Sequence, residues 1–197
     1  MMVRLLSVLP GFVGLLCVIL LLGSLRGIDL PSERSVIDMV PCEFEDPDLC
    51  LIAMTPEISP PTIFGILDID LQISWQEADN AWFAVVKSDA AEICPPDEES
   101  WLTECTSEDI EDYIIVGGPE ELDGKMTWNI KTDDYRIVTG GREGADIGDQ
   151  QVLTTSTQIS LNWFVEFILA LVSLTLFLGA GEMAFPIKKF FLKFRES

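Results

Sequence analysis

Histidine is absent from the 197 residues, and no Cys-x-x-Cys pair occurs. The first absence excludes every Ser-His-Asp and Cys-His arrangement and the usual proton shuttle at neutral pH. Together they leave a tetrahedral zinc site only four cysteines at unfavourable spacings. Basic residues are scarce: Lys plus Arg number 12 against 33 Asp plus Glu, a formal net charge of -21. Between residues 27 and 160 the imbalance is six against 30. Such a surface repels phosphate, which excludes a nucleic-acid partner. No internal repeat is visible, and the glycine-rich stretch Gly140-Gly141-Arg142-Glu143-Gly144 lacks the Lys-Ser/Thr ending of a phosphate loop. The chain is therefore read as non-enzymatic and without a cofactor.

What the sequence has instead is segregation. Despite the charge, 48% of residues are hydrophobic, and they concentrate in two runs. Leu5 to Leu25 contains no charge over 21 residues, enough to cross a hydrocarbon core of roughly 30 Å. Its length, and the poor cleavage site around Leu22-Gly23-Ser24-Leu25, favour a retained signal anchor over a cleaved leader. The second run extends from about Asn162 to Phe185, with Trp163 and Phe185 at the two ends where rings favour an interface. Glu166 and Glu182 fall near its ends, within reach of headgroups or water.

Lys188, Lys189, Lys193 and Arg195 follow the second run, whereas the 19 residues before Asn162 contain no Lys or Arg. The positive-inside rule therefore places both termini in the cytoplasm and the middle of the chain outside the cell membrane. In the tail, Ile187, Phe190, Phe191 and Phe194 recur at helical spacing between those four basic residues, a pattern suited to the lipid surface.

Four of the five cysteines, Cys42, Cys50, Cys94 and Cys105, lie in the exported segment, as disulfides in an oxidising compartment require. Three pairings are open; local closure, Cys42 with Cys50 and Cys94 with Cys105, is preferred because each pair brackets an acidic, proline-containing loop unable to order itself by apolar burial. Cys17 lies within the first apolar run and is read as an inert buried thiol.

Between the runs, period-two alternation dominates. Ile63, Leu67, Ile69, Leu71, Ile73 and Trp75 alternate with polar residues in a strand spanning Ile63 to Trp75. Ala81 to Lys87 is apolar enough for a more fully buried strand, and Tyr113 to Val116 ends at a Gly-Gly-Pro turn. Met126 to Lys131 and Tyr135 to Thr139, separated by Thr132-Asp133-Asp134, read as a hairpin. Leu153 to Leu161 leads into the second apolar run. The best helical segment is Ser107 to Asp112, with Ser107 as its cap.

Six or seven such strands predict a mainly-β ectodomain: an antiparallel β-sandwich flanked by two transmembrane helices. The pattern resembles immunoglobulin-like surface domains in outline. It lacks their Cys, Trp, Cys spacing across two sheets, so no family is assigned. The expected parts are a signal anchor (residues 1–26), an acidic extracytoplasmic sandwich (27–160), a second span (161–185) and a basic tail (186–197).

Asp68 and Asp70 share one face of their strand, but the wet face of an alternating strand predicts that without catalysis. Asp133-Asp134 and the Asp146 to Asp149 segment could offer oxygens to calcium, although neither has calcium-loop spacing. Trp101, among charged residues, is the aromatic singled out for partner contact; packing beneath the Cys94 to Cys105 loop is its bland alternative. The expected role is surface presentation for binding or structure. The alternative is an accessory subunit of a larger membrane complex, held through the spans by small residues at Gly11, Gly14, Gly179 and Gly181. Membrane lipid and an unknown protein are the expected partners, with calcium a lesser one.

Overall fold

The computed structural model describes residues 8–42, 50–146 and 148–184. The chain divides into two compact units, residues 29–158 and the flanking segments. In the flanking unit, α1 (Val8–Arg26) and α3 (Trp163–Ala184) are long and apolar enough to cross a membrane. They pack antiparallel: a Cβ at Gly11 would meet Ala180, and one at Gly14 would lie 3.4 Å from Leu176 and Phe177. Ser173 donates to the Gly14 carbonyl at 3.4 Å. At the other end Ser24 Oγ donates to Glu166 Oε1 and accepts from the Leu161 N–H, each at 2.7 Å. Glu166 is thus engaged with α1. The rest of both surfaces is exposed hydrocarbon, including Leu9, Phe12, Leu25, Phe167 and Leu178.

The second unit is antiparallel β. The first sheet contains β1 (Ile28–Asp29) and β2 (Glu33–Asp38), both paired with β9 (Gln150–Leu161), followed by β4 (Leu67–Trp75) and β7 (Lys125–Ile130). The second runs in the order β3 (Ile52–Met54), β8 (Tyr135–Gly141), β5 (Ala81–Lys87) and β6 (Ile114–Gly117). Alternation dictates what each strand contributes. Ile73, Trp75, Met126 and Trp128 from the first sheet meet Ala81, Phe83, Val85 and Tyr135 from the second in one core. Trp75 packs edge-on to Phe83 with ring centroids 5.1 Å apart.

The opposite face of the second sheet is equally dry. Trp82, Ala84 and Val86 of β5, with Ile52, Met54 and Val138, pack against Ala90, Cys94 and Ile110. These last come from α2 (Ala90–Ile93) and a 3-10 turn at Glu108–Tyr113. Burial on both faces explains why Ala81–Lys87 is a continuous apolar run rather than an alternating one. Trp82 lies opposite Gly140 on β8, where a Cβ would sit 2.6 Å from the indole ring. Glycine is required there so that the ring can lie against the backbone. At Gly117 a positive φ of 79° ends β6.

Three local readings change. Thr62–Ile66 is a 3-10 turn after Pro60-Pro61, so the strand expected from Ile63 begins at Leu67. Met126 to Lys131 and Tyr135 to Thr139 do not form a hairpin: β7 pairs with β4 and β8 with β5, in different sheets. The turn between them carries the chain across the core, where Trp128 and Tyr135 meet edge to face at 4.8 Å. Both rings are buried only if their strands face each other from opposite sheets. Ser107 does precede a helical segment, but its side chain makes no cap bond; Thr106 instead donates to Asp109 through both N–H and hydroxyl, at 2.9 and 3.2 Å.

The second dry face makes Trp82 the largest fully buried side chain. Trp82→Ala is expected to destabilise the sheets by about 3 to 5 kcal/mol, measured as the shift in denaturant midpoint of the full chain in detergent micelles. A loss below about 1 kcal/mol would show that this layer is loosely packed.

Candidate functional site

Both disulfides are local: Cys42 bonds Cys50, and Cys94 bonds Cys105. The residues between Cys42 and Cys50 lie outside those described. The second bridge has a visible structural purpose. Strand β3 is three residues long and stands at a sheet edge, where unpaired N–H and C=O groups invite foreign strands. The segment before Cys105 covers that edge. Met54 N–H donates to Trp101 O at 2.8 Å, Thr103 N–H to Ile52 O at 2.9 Å and Ile52 N–H to Cys105 O at 3.2 Å. Cys94, fully buried, fastens this cover to the outer core.

The cover is shaped by Asp97. Its Oδ1 accepts from Glu99 N–H at 3.1 Å, from Ser100 N–H at 2.9 Å and from the Ser100 hydroxyl at 3.0 Å. Its backbone brackets the same turn, accepting from Trp101 N–H at 3.0 Å and donating to Leu102 O at 2.9 Å. Trp101 consequently has φ +60°, the one positive value at a non-glycine residue among those described. For a bulky residue this conformation costs of order 1 to 3 kcal/mol and persists only where neighbouring bonds impose it. Trp101 is 41% exposed. Leu51, Ile93 and Leu102 are also exposed. Leu102 opposes Ala53, Leu51 precedes the edge residue Ile52, and Cys105 Sγ lies 4.0 Å from Ile93 O. These apolar neighbours escaped the sequence reading because none belongs to a periodic segment. Asp97 carried a signal in Asp-x-x-Ser, the spacing of a side-chain-bonded turn.

The other singled-out groups have structural partners. Asp68 and Asp70 each accept from Asn129 Nδ2, at 2.7 and 2.8 Å, and Lys131 Nζ lies 3.7 Å from Asp68. One carboxamide thus holds both carboxylates across the β4–β7 pair. Beside it, a cavity of about 610 Å³ is lined by Lys87, Asp89, Trp128, Lys131, Asp133 and Asp134. Burial pushes the adjacent Tyr135 hydroxyl above its ordinary pKa. Glu108, Glu111, Gly117, Gly118 and Glu120 line a smaller cavity of about 380 Å³.

The Gly117 to Asp123 loop is held from inside. Arg142, 9% exposed, donates Nη2 to Glu121 O at 2.9 Å. Burial lowers its pKa, and Asp79 opposes that shift. Asp146 N–H donates to Asp149 at 3.1 Å. Among the described residues no group of three or more Cys, Asp or Glu side chains is arranged to hold a metal. Lys188, Lys189, Lys193 and Arg195 lie outside the described residues.

No family model and no curated protein matches the chain. Among solved structures it is similar to Aeromonas hydrophila PliG, a periplasmic lysozyme inhibitor of g-type lysozyme. The identity is 8%, the match covers 70% of this chain and 91% of that one, and the TM-score is 0.31. A likeness of that size assigns neither fold family nor activity.

The Asp97 turn gives a pH signature. Hydrogen bonds from Ser100 N–H, the Ser100 hydroxyl and Glu99 N–H hold the carboxyl below its ordinary value of 3.8. A depressed folded-state pKa means that the turn's contribution is complete above 3.8 and is lost as pH falls through the lower folded value. The amide shifts of Glu99 and Ser100 should therefore hold steady down to that value and move only below it. Asp97→Ala should abolish the step; its persistence would assign the titration to another carboxylate.

Proposed function

We propose that the chain is a non-enzymatic, membrane-anchored surface protein that presents a disulfide-stapled β-sandwich of immunoglobulin-like architecture for binding or structural roles. The observation that carries this reading is the contrast between the two units. An apolar helix pair exposes hydrocarbon on nearly all sides, which water penalises and lipid accepts. The other unit is acidic, and its two disulfides belong to an oxidising compartment.

In this reading residues 1–26 are a signal anchor, 27–160 the displayed sandwich, 161–185 the second span and 186–197 a cytoplasmic tail. The four basic side chains of that tail contact anionic lipid. Antiparallel packing of α1 against α3 supports termini on one side. The absence of an enzyme's role is supported by Asp68 and Asp70 sharing one structural donor.

A second reading, an accessory subunit of a larger membrane complex, is favoured by one detail. Gly11 and Gly14 are used within the pair, whereas a Cβ at Gly23, Gly179 or Gly181 would meet nothing within 4 Å. Those positions leave room for a further helix at close approach.

Impermeant thiol labelling of intact cells tests the topology. After reduction, Cys42, Cys50, Cys94 and Cys105 are expected to label without lysis. Labelling that requires lysis would reverse the orientation, and recovery of the full chain in the soluble fraction would remove the anchor.

A further inference from the structure

We infer that the exposed Trp101, with its neighbour Leu102 on the cover of the β3 edge, is a docking surface for a cationic, amphipathic polypeptide segment. The inference rests on the display role proposed above and names the partner's chemistry. Three observations converge on this face. Trp101, 41% exposed, sits on a backbone fixed by Asp97 and by the β3 edge, so little backbone freedom remains to be lost on binding. Leu102, exposed and next along the same cover, adds apolar area beside the tryptophan, a residue type that anchors interfaces.

The rim then selects the partner. Glu92, Asp97, Glu98, Glu99 and Glu104 are all exposed, and residues 88–124 contain 13 Asp or Glu and no Lys or Arg. Complementarity therefore requires Lys or Arg beside apolar groups. A second copy of the chain, carrying a charge of -21, meets repulsion there, as does an anionic lipid surface. A small cation would leave the apolar centre wet. The tail of this chain has suitable chemistry, but the proposed topology puts it across the membrane.

The test uses the full chain in nanodiscs of neutral phosphatidylcholine. The probe is a short labelled peptide of lysines and leucines; one control replaces each leucine by serine, another each lysine by glutamate, and empty nanodiscs serve as the blank. The lysine–leucine peptide should bind above the blank, weaken with salt and lose about tenfold in affinity in Trp101→Gly. That variant removes the ring and relieves the positive φ, so its melting temperature should stay within a few degrees of the parent. The serine control should bind at least several-fold more weakly. Absence of binding above the blank, or equal affinity in Trp101→Gly, would overturn the docking surface. A large fall in melting temperature would identify Trp101 as a packing residue and overturn it as well. Binding that ignores Trp101, by any of the three peptides, overturns the docking surface and leaves the display role intact, whereas thiol labelling only after lysis removes the display role itself.

Discussion

Burial of residues 81–86 on both faces of β5 is the constraint on which the β unit depends. A strand dry on one side needs only a second sheet, and Phe83 and Val85 find one in β4 and β7. Trp82, Ala84 and Val86 would remain wet without a further cover, and a sheet of four strands has no other way to bury that face. The short helices, the 3-10 turn and the Cys94–Cys105 bridge supply it. Their sequences are acidic and proline-containing, too polar to collapse independently, so a covalent link keeps the cover in place. The loop that presents Trp101 is therefore a by-product of closing the outer core.

The charge pattern follows a similar division between inside and outside. Of the six basic residues between positions 27 and 160, Arg136 and Arg142 turn toward backbone carbonyls, Thr55 O and Glu121 O, both at 2.9 Å. They satisfy carbonyls, and of the outer carboxylates Asp79 acts on Arg142. The ion pairs seen among described residues, Lys125 with Asp123 and Lys131 with Asp68, are exposed and worth little. The negative field is consequently a property of the whole unit, available for solubility and for steering cations, while local apolar groups decide where contact is made.

Strands were legible where burial and period coincide. Ile69, Ile73 and Trp75 alternate because one face is wet, and Ala81–Lys87 does not because neither is. The step from β7 to β8 was illegible: Thr132-Asp133-Asp134 could reverse a hairpin or cross between sheets, and the choice lies in the distant partners β4 and β5. The edge cover at 101–105 was hidden for the same reason, since its partner is β3, some 50 positions earlier. Trp101 stood out by residue type alone; its positive φ depends on bonds to Asp97 and Met54 that no local pattern announces. The cysteines were more informative, because each local pair brackets an acidic, proline-containing loop that cannot order itself by apolar burial.

The edge cover has one more consequence, for biogenesis. Before Cys94 and Cys105 join, nothing covalent retains the flap over Ile52–Met54, and a nascent molecule carries a bare ladder ready to template misassembly. Oxidation would then fix a cover that otherwise rests on three backbone hydrogen bonds. Molecules stranded where thiols stay reduced would be the ones that clump or are cleared, so the chemistry of the compartment would police which copies survive.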